Sequence, residues 1–223
     1  TDISGVGVKM FKEFEEISRI YFSANGSREL RRGSKIHKNT SNDFLYSLPK
    51  NANVVDAGCG PNAFRTIFPN LIAFDIVDYG NQDYVCNILE APIPESSQDG
   101  VFCFGVLHEC PDEYHLPNIE KMLSWLKPGG KLIMRCKSKE VVDKHPRNSN
   151  AVGEMHEYFD QGLWPIERVN QFTQQLNLTL DWIEPKIITR KQQWNSNPKK
   201  RFHSSHDNDI IFDGHIWCWS KNV

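Results

Sequence analysis

The residues whose types and order could do chemistry begin with Asp56, Gly58 and Gly60. They sit in the run Val54-Val55-Asp56-Ala57-Gly58-Cys59-Gly60-Pro61. Val54 and Val55 are apolar and β-branched, as in a buried parallel strand. Asp56 then puts an acid at the strand's carboxyl end, where open α/β sheets bind ligands. The two glycines let the chain turn sharply and let a ligand approach without meeting a Cβ. Pro61 suits the first turn of a helix, where a missing N–H costs little. A second apolar run, Leu71 to Phe74, ends at Asp75. A carboxylate at that tip can accept both hydroxyls of a ribose. Gly58-x-Gly60-x-x-Ala63 also fits the dinucleotide-binding spacing, which alone is a weak signal. Pro61 removes an amide that a pyrophosphate would use, and Asp56 would repel that phosphate. A cationic ligand is the better electrostatic match.

Further along, His108 is the titratable group best suited to act as a base near neutral pH. Its bland reading is a residue that caps the strand or packs on the next helix. Glu109, Asp112 and Glu113 are weaker candidates. His108 and His115 with these acids make no metal site, since they lack the i, i+4 helical pairing that holds an ion on one face.

These residues need a scaffold, and the chain supplies an α/β one. Its 223 residues suffice for a full core, with 39% hydrophobic and 24% charged residues. The net charge of −2 gives no global reason to expect nucleic acid or an acidic membrane as partner. The six cysteines show no C-x-x-C pair and several sit in apolar runs, which points to buried thiols in a reducing, cytoplasmic setting. No apolar run reaches membrane-spanning length, and no signal peptide opens the sequence. Residues 1–50 read as a helical lead-in and lid, with an amphipathic helix over about 6–22, a basic stretch at 28–38 and a short helix at 44–48. Residues 51–223 form the main domain. Strands are expected at 54–55, 71–74, 84–86 and 100–104, with Ser97-Gln98-Asp99 as a turn. A short helix is expected over 62–68. A helix over 116–126 leads through Leu126-Lys127-Pro128-Gly129-Gly130 into a fifth strand. Residues 137–162 are polar and read as an active-site cover. A helix over 164–176 starts at Pro165, and β-rich runs at 178–194 and 210–219 flank a basic loop at 199–206.

In order and spacing, the Asp-Ala-Gly-Cys-Gly-Pro turn, Asp75, the Asn87 segment and the Leu-Lys-Pro-Gly-Gly turn resemble the class I S-adenosylmethionine-dependent methyltransferases. The resemblance covers residues 50–137. It implies a Rossmann-like three-layer sandwich, with a seven-stranded, mostly parallel sheet whose last strand is antiparallel. It implies S-adenosyl-L-methionine as cofactor and S-adenosyl-L-homocysteine as product. Asp56, Gly58, Cys59 and Gly60 would then hold the methionine end, and Asp75 with Ile76 the ribose. Asn87 and Ile88 would stand where the family places an acid and an apolar residue against adenine; an Asn oxygen can accept from the adenine amino group as Asp does. The segment from Phe104 to Asp112 would lie under the methionine and face the acceptor. Only eight residues, 76–83, separate the second and third strands, where most of the family carries a full helix.

Three functions compete: methyl transfer, dinucleotide-dependent oxidoreduction, and cofactor binding without catalysis. The electrostatics of Asp56 and Pro61 favour the first. The near-neutral charge favours a small-molecule acceptor. RNA is the alternative, through the basic loops 28–38 and 199–206, with binding that would fall steeply with salt. No membrane partner is expected, and the oligomeric state is open.

Overall fold

The computed structural model describes residues 16, 19, 47–60, 64–65, 67–137, 163–189 and 210–222, with backbone alone at 186–189 and 210–213. The basic stretches 28–38 and 199–206 and the polar segment 138–162 lie outside the described residues. Of the helix expected over 6–22, Glu16 and Arg19 are described, and both are helical.

Seven strands form one sheet in the order β3-β2-β1-β4-β5-β7-β6. They are β1 (Val54–Ala57), β2 (Leu71–Asp75), β3 (Tyr84–Val85), β4 (Gln98–Phe104), β5 (Leu126–Cys136), β6 (Leu178–Thr189) and β7 (Ile210–Lys221). The first five pair parallel, while β7 runs antiparallel to both β5 and β6. This is the mostly parallel sheet with a reversed last strand that the sequence implied. Helices α1 (His115–Trp125) and α2 (Ile166–Gln175) follow β4 and β5.

Every residue of β1 is buried, because both faces of the sheet are covered. Alternation then assigns residues to faces. Val55, Val101, Met134, Trp217 and Trp219 join the core under α1 and α2. Val54, Phe102, Ile133 and Cys218 join a second core with Leu48, Phe64 and Phe68. Trp164, just before α2, stacks on Phe172 at 5.1 Å and on Trp217 at 5.3 Å. Trp219 satisfies its indole N–H on Thr173 Oγ1 at 2.7 Å.

The structure amends four boundaries. β4 starts at Gln98, not Gly100: Gln98 pairs with Leu126, and Asp99 Oδ2 accepts the Asn53 N–H at 2.8 Å. Strand pairing thus takes in the polar residues expected to turn. β5 correspondingly begins at Leu126, and its register shifts between Gln98 and Gly100 before resuming at Lys131. The helix expected over 62–68 is a turn where described, with the Phe64 carbonyl accepting from the N–H groups of Ile67 and Phe68. Pro165 caps α2 from outside, in extended conformation (ψ 162°). Between β2 and β3 there is no helix, as expected. Gln82 ties that loop together, donating to the Val77 carbonyl at 2.9 Å and accepting the Tyr79 N–H at 3.1 Å.

Candidate active site

The strand order reverses between β1 and β4. In open α/β sheets the carboxyl-end crevice at that reversal is where ligands bind. The residues singled out in the sequence gather there. Gly58 and Cys59 donate their N–H groups to the Phe74 carbonyl at 2.9 and 3.0 Å, so the turn after β1 folds over the end of β2. Gly60 N–H donates to Asp75 Oδ2 at 2.9 Å, and Asp75 Oδ1 accepts the Val77 N–H at 3.1 Å. The Asp75 carboxylate therefore ties the glycine turn to the start of the Ile76–Asp83 loop.

Gly58 and Gly60 both have positive φ, 73° and 50°. A Cβ on Gly58 would lie 2.2 Å from Val106 Cγ2, so the turn after β4 is seated directly on the glycine turn. Among the described residues, a Cβ on Gly60 would meet nothing within 4 Å.

Asp56 is 3% exposed. Burial, with the negative Asp75 nearby, pushes its carboxyl up to about 7. A buried carboxylate destabilised in this way is relieved by a cation placed beside it. The Cys59 thiol is pushed far up by burial and by Asp56 and Asp75, so it is an inert neutral group. Asn87 is buried, and its Oδ1 accepts the Glu90 N–H at 2.9 Å. Ile88 lies in the core cluster with Phe74, Ala91 and Ile93. Phe104 ends β4 half-buried, stacked on Phe102 at 5.6 Å and edge-on to Phe64 at 5.6 Å.

After β4 the chain makes two 3-10 turns, Leu107–Glu109 and Asp112–Tyr114. His108 is 2% exposed. Its Nε2 lies 3.1 Å from Glu109 Oε1, an approach too poorly directed to be a hydrogen bond. Burial and then the Lys137 charge hold its pKa down, so the ring is neutral. Glu109 Oε1 also accepts from Lys137 Nζ at 3.1 Å, linking the turn to the residue just past β5. In the sequence Lys137 stands only as the first residue of the polar 137–162 stretch, with nothing to single it out as a partner of Glu109.

His115 holds this turn from behind. Its Nε2–H donates to the carbonyls of Leu107 at 2.8 Å and Cys110 at 3.2 Å. Arg168 on α2 donates to both oxygens of Asp112, at 2.8 and 2.6 Å. That pairing draws the Asp112 carboxyl below its usual range. Among the described residues, no group of three or more His, Cys, Asp or Glu side chains could hold a metal ion. No described helix is long and apolar enough to cross a membrane.

Residues 55–134 match the family model described as a methyltransferase domain. The crevice, the buried acid and the sheet order agree with that match, and residues 55–134 carry a methyltransferase domain on a Rossmann-like fold. Two curated relatives are tRNA (carboxymethyluridine(34)-5-O)-methyltransferases. The Xenopus tropicalis protein is 26% identical over 103 residues, 41% of this chain and 16% of its own length. The Arabidopsis thaliana protein is 29% identical over 111 residues, 45% of this chain and 28% of its own length. The aligned region is thus a minor part of both relatives. Among solved structures, a methyltransferase in complex with the Haloferax volcanii Trm112 methyltransferase activator has a TM-score of 0.62 at 17% identity, covering 91% of this chain and 96% of the other. The Burkholderia thailandensis 1,6-didemethyltoxoflavin-N1-methyltransferase, solved with S-adenosylhomocysteine, has a TM-score of 0.62 at 14% identity, covering 95% and 90%. These two likenesses speak for the fold.

Proposed function

We propose that this chain transfers the methyl group of S-adenosylmethionine to a nucleotide of RNA. The bound cofactor supplies an electrophilic methyl on a sulfonium; the protein aligns a nucleophile behind it. Asp56 and the backbone of Gly58 and Gly60 receive the methionine end, whose ammonium offsets the buried carboxylate. Asp75 and Ile76 take the ribose, Asn87 and Ile88 the adenine, and Phe104 with the turn after it borders the acceptor.

The observation that carries the RNA reading is the match to two tRNA methyltransferases. A second observation agrees. β6 and β7 continue past the end of β5, from Cys136↔His215 out to Thr189↔Ile210. The strand ends Thr189 and Ile210 therefore lie at the same end of the sheet as the crevice. The net charge of −2 favours the other reading, a small-molecule acceptor. Label transfer from methyl-tritiated S-adenosylmethionine to unfractionated cellular tRNA separates the two. The RNA reading expects label in tRNA, with an apparent affinity that falls steeply with salt as phosphate counterions are released. Label confined to small molecules and indifferent to salt would contradict it.

A further inference from the structure

Two buried histidines stand within eight residues of one another, and they are satisfied very differently. His115 is 1% exposed, and its Nε2 bonds the carbonyls of Leu107 and Cys110. That is how a core histidine is accommodated in this chain. His108 is 2% exposed, yet neither of its ring nitrogens makes a hydrogen bond. Burial has taken water from both nitrogens and given nothing back, which costs stability and calls for a reason. Loose packing is not the reason, because the turn is pinned on both sides of the residue. The Leu107 backbone bonds the Cys103 sulfur, the His108 backbone bonds the Cys136 sulfur, and the Leu107 carbonyl accepts from His115. The ring is also oriented. Its Nε2 lies 3.1 Å from Glu109 Oε1. Its Cε1 is the one described atom within 4 Å of a Cβ built on Gly105, at 3.6 Å. Nδ1 therefore lies on the ring edge that faces Gly105, the residue following β4 at the crevice end of the sheet. A carboxylate oxygen beside Nε2 favours the tautomer protonated there, so Nδ1 carries the lone pair.

We propose that His108 Nδ1 is the general base of methyl transfer, and that the acceptor atom is an oxygen or nitrogen that still carries its proton. A lone pair of that atom forms the new bond to the methyl carbon. The pair of the breaking C–S bond returns to sulfur, and the acceptor's proton passes to Nδ1. The ring becomes an imidazolium, and Glu109 Oε1 beside Nε2 balances its charge. The charged groups around the ring are Glu109 on its own turn and Arg135 and Lys137 at the end of β5, beside the neutral Cys136 thiol. Burial and then the Lys137 charge keep the ring unprotonated near neutral pH, so the base form is the resting form. The inference rests on the methyl-transfer reading above and narrows its acceptor. Ribose hydroxyls and base N–H groups of RNA qualify. A carboxylate, with no proton to lose, does not.

The test follows label from methyl-tritiated S-adenosylmethionine, with the full chain, into unfractionated cellular tRNA and into a small-metabolite extract. In whichever fraction takes the label, the methyl should survive mild alkali, as an ether or N-methyl group does. Release as tritiated methanol marks a methyl ester and overturns the proposal. The wild-type kcat/KM should rise with pH at unit slope to a plateau, with its inflection below 6.5, the ordinary histidine value. E109Q should move that inflection lower still, because the carboxylate that favours the imidazolium is gone. H108N keeps a polar atom near the place of Nδ1 but is no base. It should lower kcat about 100-fold or more with KM within about threefold, and it should lose the pH slope. Its S-adenosylhomocysteine affinity should stay within about twofold, which shows that the fold is intact; H108Q is the second variant should H108N not fold. A folded variant with kcat within about threefold of the wild type, or a wild-type profile flat through this range, overturns the proposal. Label in small molecules alone would sink the RNA reading and leave the His108 assignment standing. No label in either fraction would sink methyl transfer itself, and this inference with it.

Discussion

Gly60 donates its backbone N–H to Oδ2 of Asp75 at 2.9 Å, across the tips of β1 and β2. The glycine turn and the acid that follows it fifteen residues later are one structural unit. A change in either therefore alters how both present themselves to a ligand.

Gly58 tests how tightly that unit is built. Its φ of 73° disfavours any side chain, and a Cβ would lie 2.2 Å from Val106 Cγ2. Gly58→Ala should destabilise the protein by roughly 2–3 kcal/mol, combining about 1–2 kcal/mol of backbone strain with overpacking. The double variant G58A/V106A should recover the steric part alone. Urea midpoints of the three proteins measure this; equal stability of G58A and wild type would contradict the seating of Val106 on the turn.

The pH behaviour of Asp56 has a defined sign. Its carboxyl is raised from 3.8 to about 7 in the folded chain. The folded state then binds more protons than the unfolded state between these values, so stability falls as pH rises from about 4 to about 7, by at most about 1.4 kcal/mol per pH unit. Asp56→Asn should flatten that slope. An ammonium beside Asp56 would require the ionised form, so binding of S-adenosylhomocysteine at pH 6 should release a proton. Calorimetry in buffers of different ionisation enthalpy reads that proton directly, and an uptake of protons would contradict the assignment.

Trp164 joins the core to the turn after β4 through His115. It is fully buried and touches His115, Phe172 and Trp217. Trp164→Ala should cost about 3–5 kcal/mol. The milder Trp164→Phe should retain the fold, which thermal unfolding followed by circular dichroism would show. A loss below about 1 kcal/mol for the alanine variant would mean that the aromatic stack is not a cohesive unit.

Much of this was legible in the sequence because it is local. A β-branched pair, an acid, two glycines and a second acid occupy fixed places at the ends of adjacent parallel strands, and the short 76–83 segment leaves no length for a helix. The strand that follows Gly129-Gly130 was likewise visible, although β5 pairing already starts at Leu126. What escaped is set by distant pairing. Gln98 and Asp99 look like turn residues until Leu126, Asn53 and Lys127 claim them. His108 reads as a base, yet its burial is a tertiary fact. Lys137 and Glu109 are 28 positions apart, and His115 acts on carbonyls, which leave no trace in side-chain patterns.

The central claim, that the crevice holds S-adenosylmethionine through Asp75, is met most directly by calorimetric titration with S-adenosylhomocysteine, beside NADH. The account predicts micromolar binding of S-adenosylhomocysteine, none of NADH, and a loss of about tenfold or more in Asp75→Ala, as expected when hydrogen bonds to a charged group are removed. Binding of NADH instead, or S-adenosylhomocysteine affinity unchanged in Asp75→Ala, would contradict it.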